Sequence, residues 1–310
     1  MQLVKPDINI DFVGRRKIAV IVSIALIVIG LASLVVKGGP EYGIDFAGGT
    51  LIQVRFADNT SATDIKDGLQ SLDLGNVVVQ QFGDDAKEYL IRTQSSSTEM
   101  KGIGQQVTSA LKTEYGEEKV EMRRIEMVGP QVGEDLREKG YKAILFAMVA
   151  ILIYITLRFE FRFAVGAILA LVHDVAITIG AFSLSGREID LPIIAAFLAI
   201  IGYSLNDTII VYDRIRENMG RYNKEGFTKI VNRSINETLS RTLLTSGTTL
   251  MVLIALFVFG GGVIHNFAFA MLVGVLIGTY SSIFVASPLL IFWDDYRKAS
   301  RAAKAAGEKA

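Results

Sequence analysis

Six long apolar stretches, nearly free of charge, limit what this chain can fold into. The first, Ile18 to Val36, runs 19 residues without a charged side chain, between Arg15, Arg16 and Lys17 before it and Lys37 after it. A bilayer core takes about 20 helical residues, so a run of this length spans it. A cleavable signal peptide has a shorter apolar region, about 7–15 residues, and then a small-residue cleavage site. No such site follows closely here, so the first span is expected to be retained. Five further runs come after a long polar stretch: Tyr141–Leu157, Phe163–Ser185, Leu191–Tyr212, Arg241–Gly260 and Ile264–Phe292. Lipid offers backbone groups no hydrogen-bond partner, which makes a closed helical bundle the expected architecture.

Composition removes several kinds of chemistry. The chain has no cysteine and only two histidines, His173 and His265. Disulfides, thiolate metal sites, a cysteine nucleophile and a histidine-rich zinc site are therefore excluded. The 32 basic and 32 acidic residues cancel, which argues against a basic nucleic-acid binder. No phosphate loop of the G-x-x-x-x-G-K-[ST] kind is present, so nucleotide hydrolysis is not expected. No cofactor is expected either.

Basic residues cluster at the N-terminus, around Arg158 and Arg162, between Asp213 and Ser240, and in the tail after Trp293. With six spans all four clusters fall on one side, the positive-inside pattern. That places both termini in the cytoplasm and residues from about 38 to 140 outside. The outer segments then hold 14 basic and 20 acidic residues, and the cytoplasmic ones 17 and 10. Trp293, the only tryptophan, sits at the inner boundary as an interface anchor would. The expected division is 1–37 for the N-terminus and first span, 38–140 for an external domain, 141–293 for five further spans with a cytoplasmic loop at 213–240, and 294–310 for a cytoplasmic tail.

The external stretch reads as a small α+β domain. Thr50–Phe56 alternates apolar and polar side chains like a strand. Ser61 can cap a helix running to about Leu72. Val77–Phe82 and Tyr89–Thr93 suit a strand pair about the Gly83-Asp84-Asp85 turn, Thr98–Tyr115 a helix and Lys119–Val128 a last strand. The resulting order, βαββαβ, is the ferredoxin-like split pattern.

Ionisable groups inside the spans carry the functional signal, because each is costly when it faces lipid. His173 and Asp174 lie near the middle of the third span, and Asn206 and Asp207 in the fourth. Arg241 opens the fifth, with Thr245 one turn on along the same helical face. Burial favours a protonated carboxyl and a nearby guanidinium favours the ionised one, so small rearrangements can load or release a proton. A static ion pair between Asp207 and Arg241 is the competing reading. Neighbouring helical side chains point about 100° apart, so His173 and Asp174 cannot both face one partner. They suit a polar helix contact or, together with Asn206, a secondary polar relay. His265, in a glycine-rich turn, suits a solvated loop, and Gly274-x-x-x-Gly278 suits close helix packing.

At these residues a resemblance enters. Tyr42-Gly-Ile-Asp-Phe-Ala-Gly-Gly-Thr50 and Val128-Gly-Pro-Gln-Val-Gly133 resemble the signatures of the SecD/SecF family. Asn206-Asp207-Thr208, Asp213-Arg-Ile-Arg-Glu-Asn218 and Arg241-Thr-Leu-Leu-Thr245 resemble its SecF branch most fully. The likeness covers nearly the whole chain in order. It implies a member of the resistance–nodulation–division superfamily in the bacterial cytoplasmic membrane, a non-enzymatic accessory subunit that uses the proton gradient to assist protein translocation. The implied partners are SecD, the SecYEG channel, YajC and the preprotein in transit. The implied proton pathway is Asp207 as protonatable carboxylate, Arg241 as electrostatic partner and Thr245 as hydrogen-bonding relay. A scaffold that stabilises SecD without conducting protons is the alternative. An intramembrane aspartyl protease built on Asp174 and Asp207 lacks the glycine-flanked motif it would need, and a small-molecule efflux protein would need a second six-span half.

Overall fold

The structure is a computed structural model describing residues 8–72, 74, 77–82, 86–93 and 100–307. Helix α1, Arg16–Lys37, is the first apolar run, ended by Gly38 in the left-handed region, whose N–H donates to the Val35 carbonyl while the Gly39 N–H donates to that of Leu34. A one-turn helix α2, Ile44–Ala47, leads into strand β1, Gly49–Phe56. Helix α3, Ala62–Gly68, starts where Ser61 Oγ accepts the Asp64 N–H at 3.1 Å. Strands β2, Val77–Gln81, and β3, Glu88–Thr93, helix α4, Met100–Tyr115, and strand β4, Val120–Val128, complete this part. The four strands form one antiparallel sheet in the order β2-β3-β1-β4, with a bulge in β4 opposite Gln53 and Val54. Ile52, Val54 and Phe56 of β1 and Tyr89 and Ile91 of β3 alternate onto one face, where they bury Ile65, Val107 and Leu111 of the helices. The Gly83-Asp84-Asp85 turn and the start of the helix read from Thr98 lie outside the described residues.

Among the described residues, six helical stretches are long and apolar enough to cross a membrane. After α1 come α5, Pro130–Arg158, α6, Phe161–Ser185, α7, Leu191–Arg221, and α8, Phe227–Phe259. The sixth crossing is composite: α9, Gly262–Ser281, a π-helical turn, Ser282–Ala286, and α10, Ser287–Gly307. Besides α10, which runs past Phe292 into the charged tail, three helices outrun their apolar cores. α5 begins directly after β4, with Pro130 at its first turn, where a missing N–H costs nothing. α7 and α8 continue through most of the expected 213–240 loop and leave only 222–226 between them. Polar pairs hold that hairpin: Asn218 Nδ2 donates to Ser234 Oγ at 3.0 Å and to Glu237 Oε2 at 2.7 Å, and Arg214 pairs with Glu237 at 2.6 Å.

The two glycine-bearing signatures pack on each other. A Cβ added at Gly133 of α5 would lie 3.0 Å from the Phe46 carbonyl oxygen and 3.1 Å from the Gly48 nitrogen, so only glycine lets α2 seat on α5. α1 and α6 also cross with backbones touching, a Cβ at Gly30 falling 2.8 Å from Gly180 Cα. At the opposite face the segment before α1 is tied to α8. Asn232 and Asn236 bond the backbone of Ile10 in both directions, and Asn232 Oδ1 also accepts from Phe12 and Val13.

Two apolar clusters divide the bundle along its length. Phe182, Ile193, Phe197, Ile200 and Ala270 pack near the sheet domain. Phe163, Ala167, Val211, Tyr212, Ile283 and Leu290 pack toward the other face. On α6, α7 and α9, the buried His173, Asp174, Thr178, Ser204, Asp207, Thr208 and Ser281 fall between these clusters.

Candidate functional site in the buried polar layer

Asp207 is 1% exposed. One carboxyl oxygen, Oδ2, lies 3.3 Å from Ser246 Oγ of α8, and the other has no hydrogen-bond partner. Ser246 Oγ in turn is 2.7 Å from Thr279 Oγ1 of α9, whose hydroxyl donates to the Val275 carbonyl at 2.7 Å. A short line of hydroxyls therefore runs from the carboxyl on α7 across α8 to α9. Thr242 Oγ1, one turn before Ser246, is a second buried polar atom without a partner.

The residues expected around Asp207 stand differently from the expectation. Arg241 is exposed on α8 and forms no ion pair with Asp207. The physical reason is position: Arg241 is five residues before Ser246, so when Ser246 faces α7 the guanidinium lies well round the helix. Thr245 is half-buried, and its carbonyl accepts the hydroxyls of Thr248 and Thr249. The hydroxyl on Asp207 comes from Ser246 instead. Asn206 is exposed and points out of the polar layer.

His173 and Asp174 form a second centre. Asp174 is fully buried; its Oδ2 accepts from Ser204 Oγ of α7 at 2.6 Å and from Ser281 Oγ of α9 at 2.8 Å, and its Oδ1 lies 2.8 Å from His173 Nδ1. The 100° offset excludes a shared third partner, but the two side chains bend toward each other and bond directly. His173 Nε2 reaches Ser23 Oγ of α1 at 3.0 Å, and its ring stacks on Tyr280. Small residues make this possible: a Cβ on Gly278 would lie 2.9 Å from Ser204 Cβ, so α9 backs closely onto α7 where Ser204 and Ser281 converge. The Gly274-x-x-x-Gly278 pattern thus builds the site.

Five residues between α6 and α7 join this bundle to the sheet domain. Arg187 donates to Asn266 Oδ1 and, at 3.2 Å, to His265 Nε2. His265 Nδ1 donates to the Phe257 carbonyl at 2.7 Å and its ring stacks on Phe257 at 4.0 Å, so it is a half-buried helix residue and not a solvated loop histidine. The histidine's partners come from two distant elements, the 186–190 loop and α8, which local sequence does not reveal. Glu188 pairs with Arg92 of β3, and Ile189 bridges in parallel to Tyr42. Asp190 caps α7 by accepting the Ile193 N–H at 3.1 Å. Beside it Asp45 Oδ2 accepts the Leu191 N–H at 3.0 Å. Burial, reinforced by the Asp45 charge, raises the Asp190 carboxyl to about 6 against the opposing cap bond and Arg92. Burial likewise lowers Arg92 to about 10, although Asp190 and Glu41 oppose it.

The class that this fold and site define is that of polytopic helical membrane proteins with one small sheet domain and carboxyl groups buried at mid-bundle. Within that class, residues 106–296 match the model of the protein export membrane protein SecD/SecF C-terminal family and residues 32–59 that of the SecD/SecF GG motif. The chain belongs to the SecD/SecF family. It is 54% identical to the protein translocase subunit SecF of Magnetococcus marinus, covering 99% of each, and 47% identical to that of Vibrio alginolyticus, covering 94% of this chain and 91% of the relative. Among solved structures it is similar to SecDF, a translocon-associated membrane protein from Thermus thermophilus, with a TM-score of 0.86 at 37% identity over 94% of this chain. It also matches SecDF in a super-membrane-facing form, with a TM-score of 0.71 at 38% identity over 98%. The chain spans 40% and 41% of the length of those two SecDF chains.

Proposed function

We propose that this chain is a proton-driven, non-enzymatic subunit that pairs with SecD in the bacterial cytoplasmic membrane and assists preprotein translocation through SecYEG. Asp207 holds the transported proton, and its environment is the observation that carries this reading. A carboxyl nearly out of solvent, with one oxygen unpartnered and the other at the head of a hydroxyl line, can take a proton and give it up. If Asp207 is protonated, three donors (Asp207, Ser246 and Thr279) fill the three contacts ending at the Val275 carbonyl. Arg241 and Thr245 share one face of α8, where the guanidinium supplies the positive charge that favours release and the threonine flanks the path. The gradient contributes about 2.3 kcal/mol per charge per 100 mV.

The sheet domain, 38–140, is read as a ferredoxin-like module on the outer side, a reading supported by its βαββαβ order and its sheet order of β2-β3-β1-β4. Both termini are then cytoplasmic, and YajC is a further partner on the same reading. The 186–190 loop ties the module to α7, the helix that carries Asp207.

The test is Asp207→Asn in vesicles carrying the complete export machinery. Stimulation of export by a proton gradient is lost while SecD still co-purifies with the variant. Retained stimulation overturns the role of Asp207. Loss that tracks loss of SecD binding supports the scaffold reading instead.

A further inference from the structure

The His173–Asp174 centre lies apart from the Asp207 path and demands its own account. Asp174 is fully buried among the spans, and among the described residues its only ion-pair partner is His173. A bare carboxylate there would carry an uncompensated charge in a medium that penalises it heavily. Proton counting leads to the same place. Four contacts run in series: Asp174 Oδ1 to His173 Nδ1 at 2.8 Å, His173 Nε2 to Ser23 Oγ at 3.0 Å, Ser23 Oγ to Tyr280 Oη at 3.1 Å, and Tyr280 Oη to the Ala19 carbonyl at 2.8 Å. The carbonyl brings no proton, and Ser23 and Tyr280 bring one each. With Asp174 ionised, as its two hydroxyl donors require, a neutral imidazole adds one and leaves a contact without hydrogen. An imidazolium adds two, and all four contacts are filled in one direction. Ser204 and Ser281 meanwhile both point their hydroxyls at Oδ2, which suits a carboxylate as the acceptor.

We propose that His173 and Asp174 form a second proton-binding site, in which one proton converts His173 to imidazolium beside the Asp174 carboxylate and staples α1 to α6, α7 and α9. The proton bonds to one ring nitrogen; on release it leaves to water or to a neighbouring acceptor, and a net negative charge stays behind. Tyr280 is the titratable group stacked on His173, and Asp207 follows Ser204 by three residues on α7. The staple therefore holds the same helix that carries Asp207. The proton count stands whether or not Asp207 moves protons.

The chain has only two histidines, which makes the test direct. The full chain, labelled with 15N-histidine and held with its partner in lipid vesicles, gives two imidazole signals by solid-state NMR, and His265→Gln assigns them. At neutral pH the expected His173 signal shows both ring nitrogens protonated, and Asp174→Asn reduces it to one. Where that variant does not assemble, Ser23→Ala serves: it removes the Nε2 acceptor, and exchange of that ring proton with water speeds up severalfold or more. One bare ring nitrogen on His173 in the unmodified chain overturns the proposal, as does a doubly protonated ring that Asp174→Asn leaves unchanged.

Discussion

Ser204 and Asp207 stand three residues apart on α7 yet serve different carboxyl centres. Ser204 donates to Asp174 at 2.6 Å, while Asp207 meets Ser246 at 3.3 Å. One turn of one helix thus holds a donor to the first centre and the acid of the second, and α9 backs both through Ser281 and Thr279. A shift or rotation of α7 against α9 alters both sets of bonds together.

Ser246 is the first residue to test. Ser246→Ala leaves the buried Asp207 carboxyl without its one hydrogen bond, a loss of about 1–3 kcal/mol. Gradient-stimulated export is expected to fall about tenfold or more, with assembly intact. Thr245→Val leaves that bond in place and is expected to have the smaller effect. Export rates of the two variants, measured side by side, check the order.

The α1–α6 crossing depends on glycine. Gly180→Leu forces a side chain where the Gly30 backbone stands and pushes the helices apart, at a cost of about 1–3 kcal/mol. The Ser33 and Ser183 hydroxyls, 2.8 Å apart in the same crossing, supply the measurement. In this cysteine-free chain, paired Ser33→Cys and Ser183→Cys substitutions are expected to oxidise readily, and Gly180→Leu to slow that oxidation severalfold.

The raised Asp190 carboxyl fixes the sign of a pH effect. Its folded value of about 6 lies above the ordinary 3.8, so between those values the folded protein binds more protons than the unfolded one. Its contribution is full below about pH 4 and is lost as pH rises through about 6, to a total of about 3 kcal/mol. Protection of the Ile193 amide from hydrogen exchange, corrected for intrinsic rate, is expected to fall across that window. Asp190→Asn flattens the dependence.

Arg92 and Glu188 join strand β3 to the loop before α7, each side chain 16% exposed. A double-mutant cycle with Arg92→Ala and Glu188→Ala is expected to give a coupling of about 1–2 kcal/mol, within the range for contacting residues. Thermal unfolding of the detergent-solubilised complex supplies the four stabilities. Additive losses would mean that the pair does not link the two parts.

Much of the fold was legible because each signal was local. Uncharged runs located the spans, and Ser61 marked the start of α3. Helix length was not: α7 and α8 run past Tyr212 and back before Arg241 because Asn218, Arg214 and Glu237 pair across the hairpin, which no apolar periodicity records. Asp174 and Asp207 stood out because charge is costly in a span. Their hydroxyl partners did not, since serine and threonine are tolerated anywhere in a membrane helix. Which serine meets which carboxyl follows from how α7, α8 and α9 cross, and the Gly274-x-x-x-Gly278 pair was the trace of that crossing in the sequence.

Whether Asp207 carries protons is read from proton movement itself. Vesicles containing the complete complex and an internal pH dye are given a proton gradient while preprotein is being exported, and Asp207→Asn is compared with the unmodified chain. Export-linked change of internal pH seen with Asp207 is expected to disappear in the variant, with complex assembly unchanged. Proton movement at the unmodified rate in Asp207→Asn would contradict it.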